Sequence, residues 1–178
     1  MQMQGERTID AGRAEVWHAL NSPEVLKACI PGCDELEKTS PTSFEATVTQ
    51  KVGPVKARFK GVVELSDIVE AESYTITGAG KGGAAGFAKG GARVRLEDAG
   101  DGTRLVYEAE AKVGGKLAQL GSRLIDGFAK KMADDFFTRF QEAVEGPAEE
   151  PPEEPEAEVT EQTEPEEKKK GWFKRLFG

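Results

Sequence analysis

The sequence predicts an α+β fold. A curved antiparallel sheet wraps on one long C-terminal helix, two short helices follow the first strand, and a disordered tail comes last. Three observations predict it. Apolar and polar residues alternate in repeated runs between Phe44 and Val113, the period of strands with one dry and one wet face. From Leu117 the apolar period becomes three or four and holds to Val144. From Glu145 the composition turns to Glu and Pro, which cannot bury a core.

Residues 2–9 read as a first strand, an edge or rim element because of Gly5 and its polar residues. Asp10 is placed to cap a short helix from Ala11 to Leu20 that carries Val16, Trp17 and Leu20. Ser22 caps a second helix with Pro23 in its first turn and Val25, Leu26 and Ala28 on its apolar face. Ile30-Pro31-Gly32 stops it.

The strands then begin. Phe44, Ala46, Val48 and Val52 alternate with polar neighbours, and Val52-Gly53-Pro54-Val55 reads as a hairpin turn. Val55, Ala57, Phe59, Gly61, Val63 and Leu65 form the next run, and Tyr74 and Ile76 a short one. Val94 and Leu96 precede the turn Asp98-Ala99-Gly100-Asp101-Gly102, after which Leu105, Tyr107, Ala109, Ala111 and Val113 alternate again. Leu117, Leu120, Leu124, Phe128, Met132, Phe136, Phe140 and Val144 then mark one face of a helix of about 28 residues, widened by Ile125, Ala129, Ala133 and Phe137. Such a helix covers the dry face of the sheet. Gly146-Pro147 ends it.

Charge divides the chain in three. Residues 1–144, the folded domain, carry 19 basic and 21 acidic groups, a net of −2. The linker 145–167 holds eleven Glu and no Lys or Arg; the tip 168–178 holds five basic residues and no acid. A nearly neutral domain excludes a nucleic-acid binder, which needs a basic excess. The opening residues Met1 to Arg7 are polar, no run approaches the roughly 20 apolar residues of a membrane span, and a reducing cytoplasmic setting with free thiols is expected.

At the tip, Trp172, Phe173, Leu176 and Phe177 share one helical face, and Lys168, Lys169, Lys170, Lys174 and Arg175 fall elsewhere. A short basic segment with aromatic teeth suits an anionic membrane surface, where rings enter the headgroup boundary. Docking on its own domain or on a partner is the competing reading, and a 23-residue disordered spacer argues against docking on its own domain.

Other motifs resolve into plainer readings. Gly78-Ala79-Gly80-Lys81-Gly82-Gly83 matches a dinucleotide fingerprint literally, but a strand rather than a helix follows, so a flexible Gly-rich connection between strands is expected. Phe87 stands alone in it, either a gate over a cavity mouth or a plug on the rim. Cys29 and Cys33 are packing residues: their spacing is wrong for a redox pair, and His18 alone cannot complete a zinc site. Asp126, Asp134 and Asp135 with Arg123, Lys130 and Lys131 are charge pairs at helical spacing, not a carboxylate dyad. Lys56, Arg58 and Lys60 line one outer strand face and Arg93 and Arg95 another, as a solvated surface or as a docking patch for an acidic protein or lipid. No catalytic constellation emerges.

Three blocks carry a resemblance. Cys29-Ile30-Pro31-Gly32-Cys33, then Gly53-Pro54-Val55-Lys56-Ala57-Arg58-Phe59-Lys60-Gly61, then Gly114-Gly115-Lys116-Leu117-Ala118-Gln119-Leu120-Gly121-Ser122-Arg123-Leu124-Ile125 resemble, in that order, the carbon monoxide dehydrogenase G-subunit family. The resemblance covers residues 1–144. It implies a START-like helix-grip domain with a cavity between sheet and helix. It also implies an accessory role: bringing a molybdenum hydroxylase akin to carbon monoxide dehydrogenase to the inner face of the cell membrane, and handling the quinone that takes its electrons.

The expectation is then a non-enzymatic, membrane-tethered binder of a lipophilic molecule, an isoprenoid quinone such as menaquinone, with no covalent cofactor and no metal. Leu117, Leu120, Leu124, Phe128 and Met132 from the helix and Phe59, Tyr74 and Phe87 from the sheet side are the candidate lining, against ordinary core packing for each; Phe136 and Phe140 are read as core. The alternative is an adaptor whose interior is filled by side chains and which recruits or matures the dehydrogenase. An enzyme is the third reading, and no acid–base group in an apolar context supports it.

Overall fold

The computed structural model describes residues 1–146, so the tip and nearly all of the acidic linker lie outside the described residues. The alternating runs become one antiparallel seven-stranded sheet. In chain order the elements are β1 (Gln2–Ile9), α1 (Arg13–Leu20), α2 (Pro23–Cys29), β2 (Cys33–Ser40), β3 (Ser43–Val52), β4 (Val55–Val69), β5 (Ser73–Lys81), β6 (Phe87–Ala99), β7 (Gly102–Gly114) and α3 (Ser122–Glu145). Short 3-10 turns occupy Gly83–Ala85 and Gly115–Leu120. The strand order is β1-β7-β6-β5-β4-β3-β2: a meander from β2 to β7, with β1 added beside β7. No described helix is long and apolar enough to cross a membrane.

Two local devices work as the sequence suggests. The Ser22 hydroxyl accepts the Val25 N–H at 3.4 Å at the start of α2, with Pro23 in the first turn. Gly53 turns the β3–β4 hairpin at φ +58°, a backbone region that favours glycine.

Three expectations are corrected, and one strand is added. Asp10 caps nothing; α1 starts at Arg13, and the Asp10 N–H instead donates to the Glu145 carboxylate at 2.7 Å, pinning the far end of α3. The strand β2 had no signature, because Leu36 is its one apolar residue among charges. It is an edge strand paired only with β3, and edges gain from charge. The Gly-rich stretch is mostly strand: residues 78–81 of β5 pair with 87–90 of β6, which leaves only 82–86 as a connection. The long helix is interrupted, since Gly121 at φ +92° separates the 3-10 turn carrying Leu117 and Leu120 from α3.

The core gathers at one end. Ile9, Val16, Leu20, Leu65, Tyr74, Val94, Leu96, Leu105 and Phe140 are buried together, with Trp17, Tyr107, Phe136 and Phe137 packed against them. Trp17 meets Tyr74 edge-on at 5.2 Å, and Phe137 stacks on Tyr107 at 5.1 Å. Buried Thr103 donates to the Ala11 carbonyl at 2.7 Å, leaving no loose hydroxyl there.

Candidate functional site

Register defines the surface that faces α3. Side chains alternate along each strand, and partners across strands share a face. From the packed end, the first inner row holds Leu96 and Leu105, and the next holds Tyr74, Val94 and Tyr107. Then the floor empties. Leu65, Ile76, Ala92 and Ala109 form one row, Val63, Gly78, Gly90 and Ala111 the next, and Gly61, Gly80, Ala88 and Val113 the one after, so the small residues gather on β5, β6 and β7.

The apolar residues in the N-terminal half of α3 are incompletely covered. Ile125, Phe128, Ala129 and Met132 are only half-buried there, and Leu124 remains 39% exposed. The anchors of α3 lie in its other half. Asp134 faces Arg7 at 3.6 Å, the Gln141 side chain donates to the Thr8 carbonyl at 3.1 Å, and Arg7 stands over the Phe137 ring at 5.8 Å. Among the described residues, no side-chain hydrogen bond or ion pair ties residues 122–133 to the sheet. That half touches the β3–β4 hairpin instead: a Cβ added at Gly53 would stand 2.8 Å from the Leu124 side chain.

The predicted lining divides accordingly. Leu124, Phe128 and Met132 lie in this incompletely covered half of α3. Leu117 is buried and Leu120 half-buried on the 3-10 turn before it. Phe59 is on the inner face of β4, and its ring lies along Gly82, where any side chain would collide with it. Tyr74 stands one row before the floor empties. Phe87 does not join them: it pairs in register with Lys81 and Gly114, in the outward phase, and is 43% exposed. The small residues of the floor escaped the sequence reading. Their signal is Gly and Ala in phase across four strands, and the phase appears only once the strands are aligned.

Tyr74 is the polar group of this region. Burial pushes its hydroxyl well above its ordinary range, so it stays protonated, and it has no hydrogen-bond partner among the described residues. A buried orphan hydroxyl costs about 1–3 kcal/mol and favours an incoming acceptor.

Elsewhere the chemistry is plain. Burial pushes up the thiols of Cys29 and Cys33, so neither is poised as a thiolate. Among the described residues no group of three His, Cys, Asp or Glu could hold a metal. An open trough of about 1480 Å³ crosses the outer face of β1, β7, β6, β5 and β4; Val62, Glu64, Lys89, Glu108, Glu110 and Lys112 are among its lining, and no residue of α3 is.

Comparison with known proteins places this arrangement. The family model CoxG, which describes the G subunit of carbon monoxide dehydrogenase, matches residues 5–145. A conserved protein from Geobacillus kaustophilus of known structure is similar at 31% identity and TM-score 0.76, over 82% of this chain and 95% of that one. A protein from Thermus thermophilus shares the fold at 17% identity and TM-score 0.62, over 81% of this chain and 97% of that one. One from Rhizobium leguminosarum does so at 16% identity and TM-score 0.63, over 82% and 94%. No curated protein matches the sequence. The match over nearly the whole described domain, together with the helix-grip architecture, means that the chain belongs to the carbon monoxide dehydrogenase G-subunit family.

Proposed function

We propose that this protein is a non-enzymatic accessory factor. It shelters a lipophilic molecule, an isoprenoid quinone by preference, between the N-terminal half of α3 and the inner face of the sheet. It presents that molecule to a molybdenum hydroxylase akin to carbon monoxide dehydrogenase. The tip holds it at the inner face of the cell membrane. One observation carries the reading: the apolar residues Ile125, Phe128 and Met132 of α3 stay half-covered, and the inner sheet face carries Gly and Ala in phase on β5, β6 and β7. A quinone tail would cover those side chains, and the Tyr74 hydroxyl would donate to a quinone carbonyl.

Lipid extraction and mass spectrometry of the purified protein test this directly. Bound quinone, or saturable uptake of added quinone, is expected; neither would leave the adaptor reading. Deleting residues 168–178 is expected to abolish flotation with anionic vesicles while the fold, followed by circular dichroism, is retained. Binding of the intact chain should weaken with salt, because each of the five cations contributes on the order of 1 kcal/mol at an anionic surface.

A further inference from the structure

The outer face carries a feature that the ligand site does not use. Residues directly opposite in an antiparallel sheet stand about 5 Å apart, and like charges there are destabilising. Three lysine pairs nevertheless oppose each other. Lys51 faces Lys56, Lys60 faces Lys81, and Lys89 faces Lys112. All six are exposed, and among the described residues none has an ion-pair partner. The arginines of the opposite end are treated differently: Arg104 pairs with Glu6 and Glu97, Arg95 with Glu97, and Arg13 with Asp98.

Two apolar side chains sit among these lysines. Phe87 shares its row with Lys60 and Lys81, and Val62 shares the next with Lys89 and Lys112. They are 43% and 46% exposed. Acids flank them: Glu35 lies in the row of Lys60, Glu37 and Glu45 in that of Val62, and Glu64 and Glu110 one outward row further in, while Asp34 accepts the Thr49 hydroxyl at 2.6 Å and faces Arg58 at 3.8 Å. The other exposed apolar pair, Ile68 and Val69, lies at the far tip of β4 beside Asp67, Glu70 and Glu72.

We propose that this face of the folded domain docks on an anionic lipid surface. Phe87 and Val62 enter the headgroup region, and the six lysines meet lipid charge. Aromatic and aliphatic side chains ringed by unpaired cations fit lipid better than an acidic peptide, which would leave Phe87 and Val62 in water. The face lies toward the end of the sheet where the β3–β4 hairpin meets Leu124, on the side of the sheet opposite the ligand site. This docking does not rest on the carrier reading.

The test uses the full chain with Cys33→Ser and Phe87→Cys, labelled at residue 87 with an environment-sensitive fluorophore. Vesicles contain phosphatidylcholine with or without 30% phosphatidylglycerol. A second chain labelled through Asp101→Cys, at the β6–β7 turn, is the control. The residue-87 label is expected to shift to the blue only with anionic vesicles, and the residue-101 label is not. Replacing Lys60, Lys81 and Lys89 by Gln should lower vesicle affinity by about 100-fold at low salt. A chain that floats with vesicles while label 87 stays in water overturns the proposal and leaves the tip as anchor. A label already buried without vesicles and released by salt assigns the face to the acidic stretch 145–167 and also overturns it. Quinone uptake is measured separately, so failure of the carrier reading remains distinct.

Discussion

Phe140 and Ile125 lie within about 60° of each other around α3 and meet different environments: the first is fully buried, the second only half-buried. At the first end the sheet offers Leu96, Leu105, Val94 and Tyr74, and Phe136 stacks on Phe140 at 5.7 Å. At the other end β5, β6 and β7 offer mainly Gly and Ala, with Val63 and Val113 at the margins. The helix is comparably apolar in both halves, so what sits opposite decides which half is core. An amphipathic stripe states that a surface will be covered; it does not say by what.

The sharpest way to break this comparison is truncation of the same residue type in each half. Phe140→Ala should cost about 3–5 kcal/mol in urea unfolding, and Phe128→Ala no more than about 1 kcal/mol. Equal losses would mean that the open end is packed after all. Filling the floor comes next. Ala88→Phe in a solid interior costs about 1–3 kcal/mol, whereas here it should cost less than about 1 kcal/mol and should lower quinone uptake at least about tenfold. A large loss of stability, or undiminished uptake, would refute the hollow.

Tyr74→Phe gives a smaller effect. Removing an orphan hydroxyl should leave stability unchanged or slightly raised, while quinone affinity falls about 3- to 10-fold by titration. A destabilised variant would mean that the hydroxyl already has a partner. The smallest effect is with pH. The folded-state pKa of Tyr74 is raised above its ordinary 10.0, so its contribution to stability is intact below pH 10.0 and falls as pH climbs toward the folded value. Thermal unfolding followed above pH 10.0 should therefore decline less steeply in Tyr74→Phe; identical slopes would show that other groups govern alkaline unfolding.

Much of the architecture was legible because periodicity reports burial directly. The runs around Phe44, Phe59, Leu105 and Phe140 placed strands β3, β4 and β7 and the closing helix, and Ser22-Pro23 placed the start of α2. β2 was hidden because an edge strand needs little apolar surface. The break at Gly121 was hidden because Leu117 and Leu120 keep helical spacing across it.

The sequence alone determined the alternation, the amphipathic stripe, the division of charge along the chain and the family. These are local or compositional, and each residue reports its own preference. Only the tertiary structure decided which residues face each other: that small side chains align into an empty floor, that Phe87 points away from it, and that six lysines oppose in pairs. Those facts depend on strand register, which is set by the joint burial of residues far apart in the chain, and a shift of one residue would exchange the two faces.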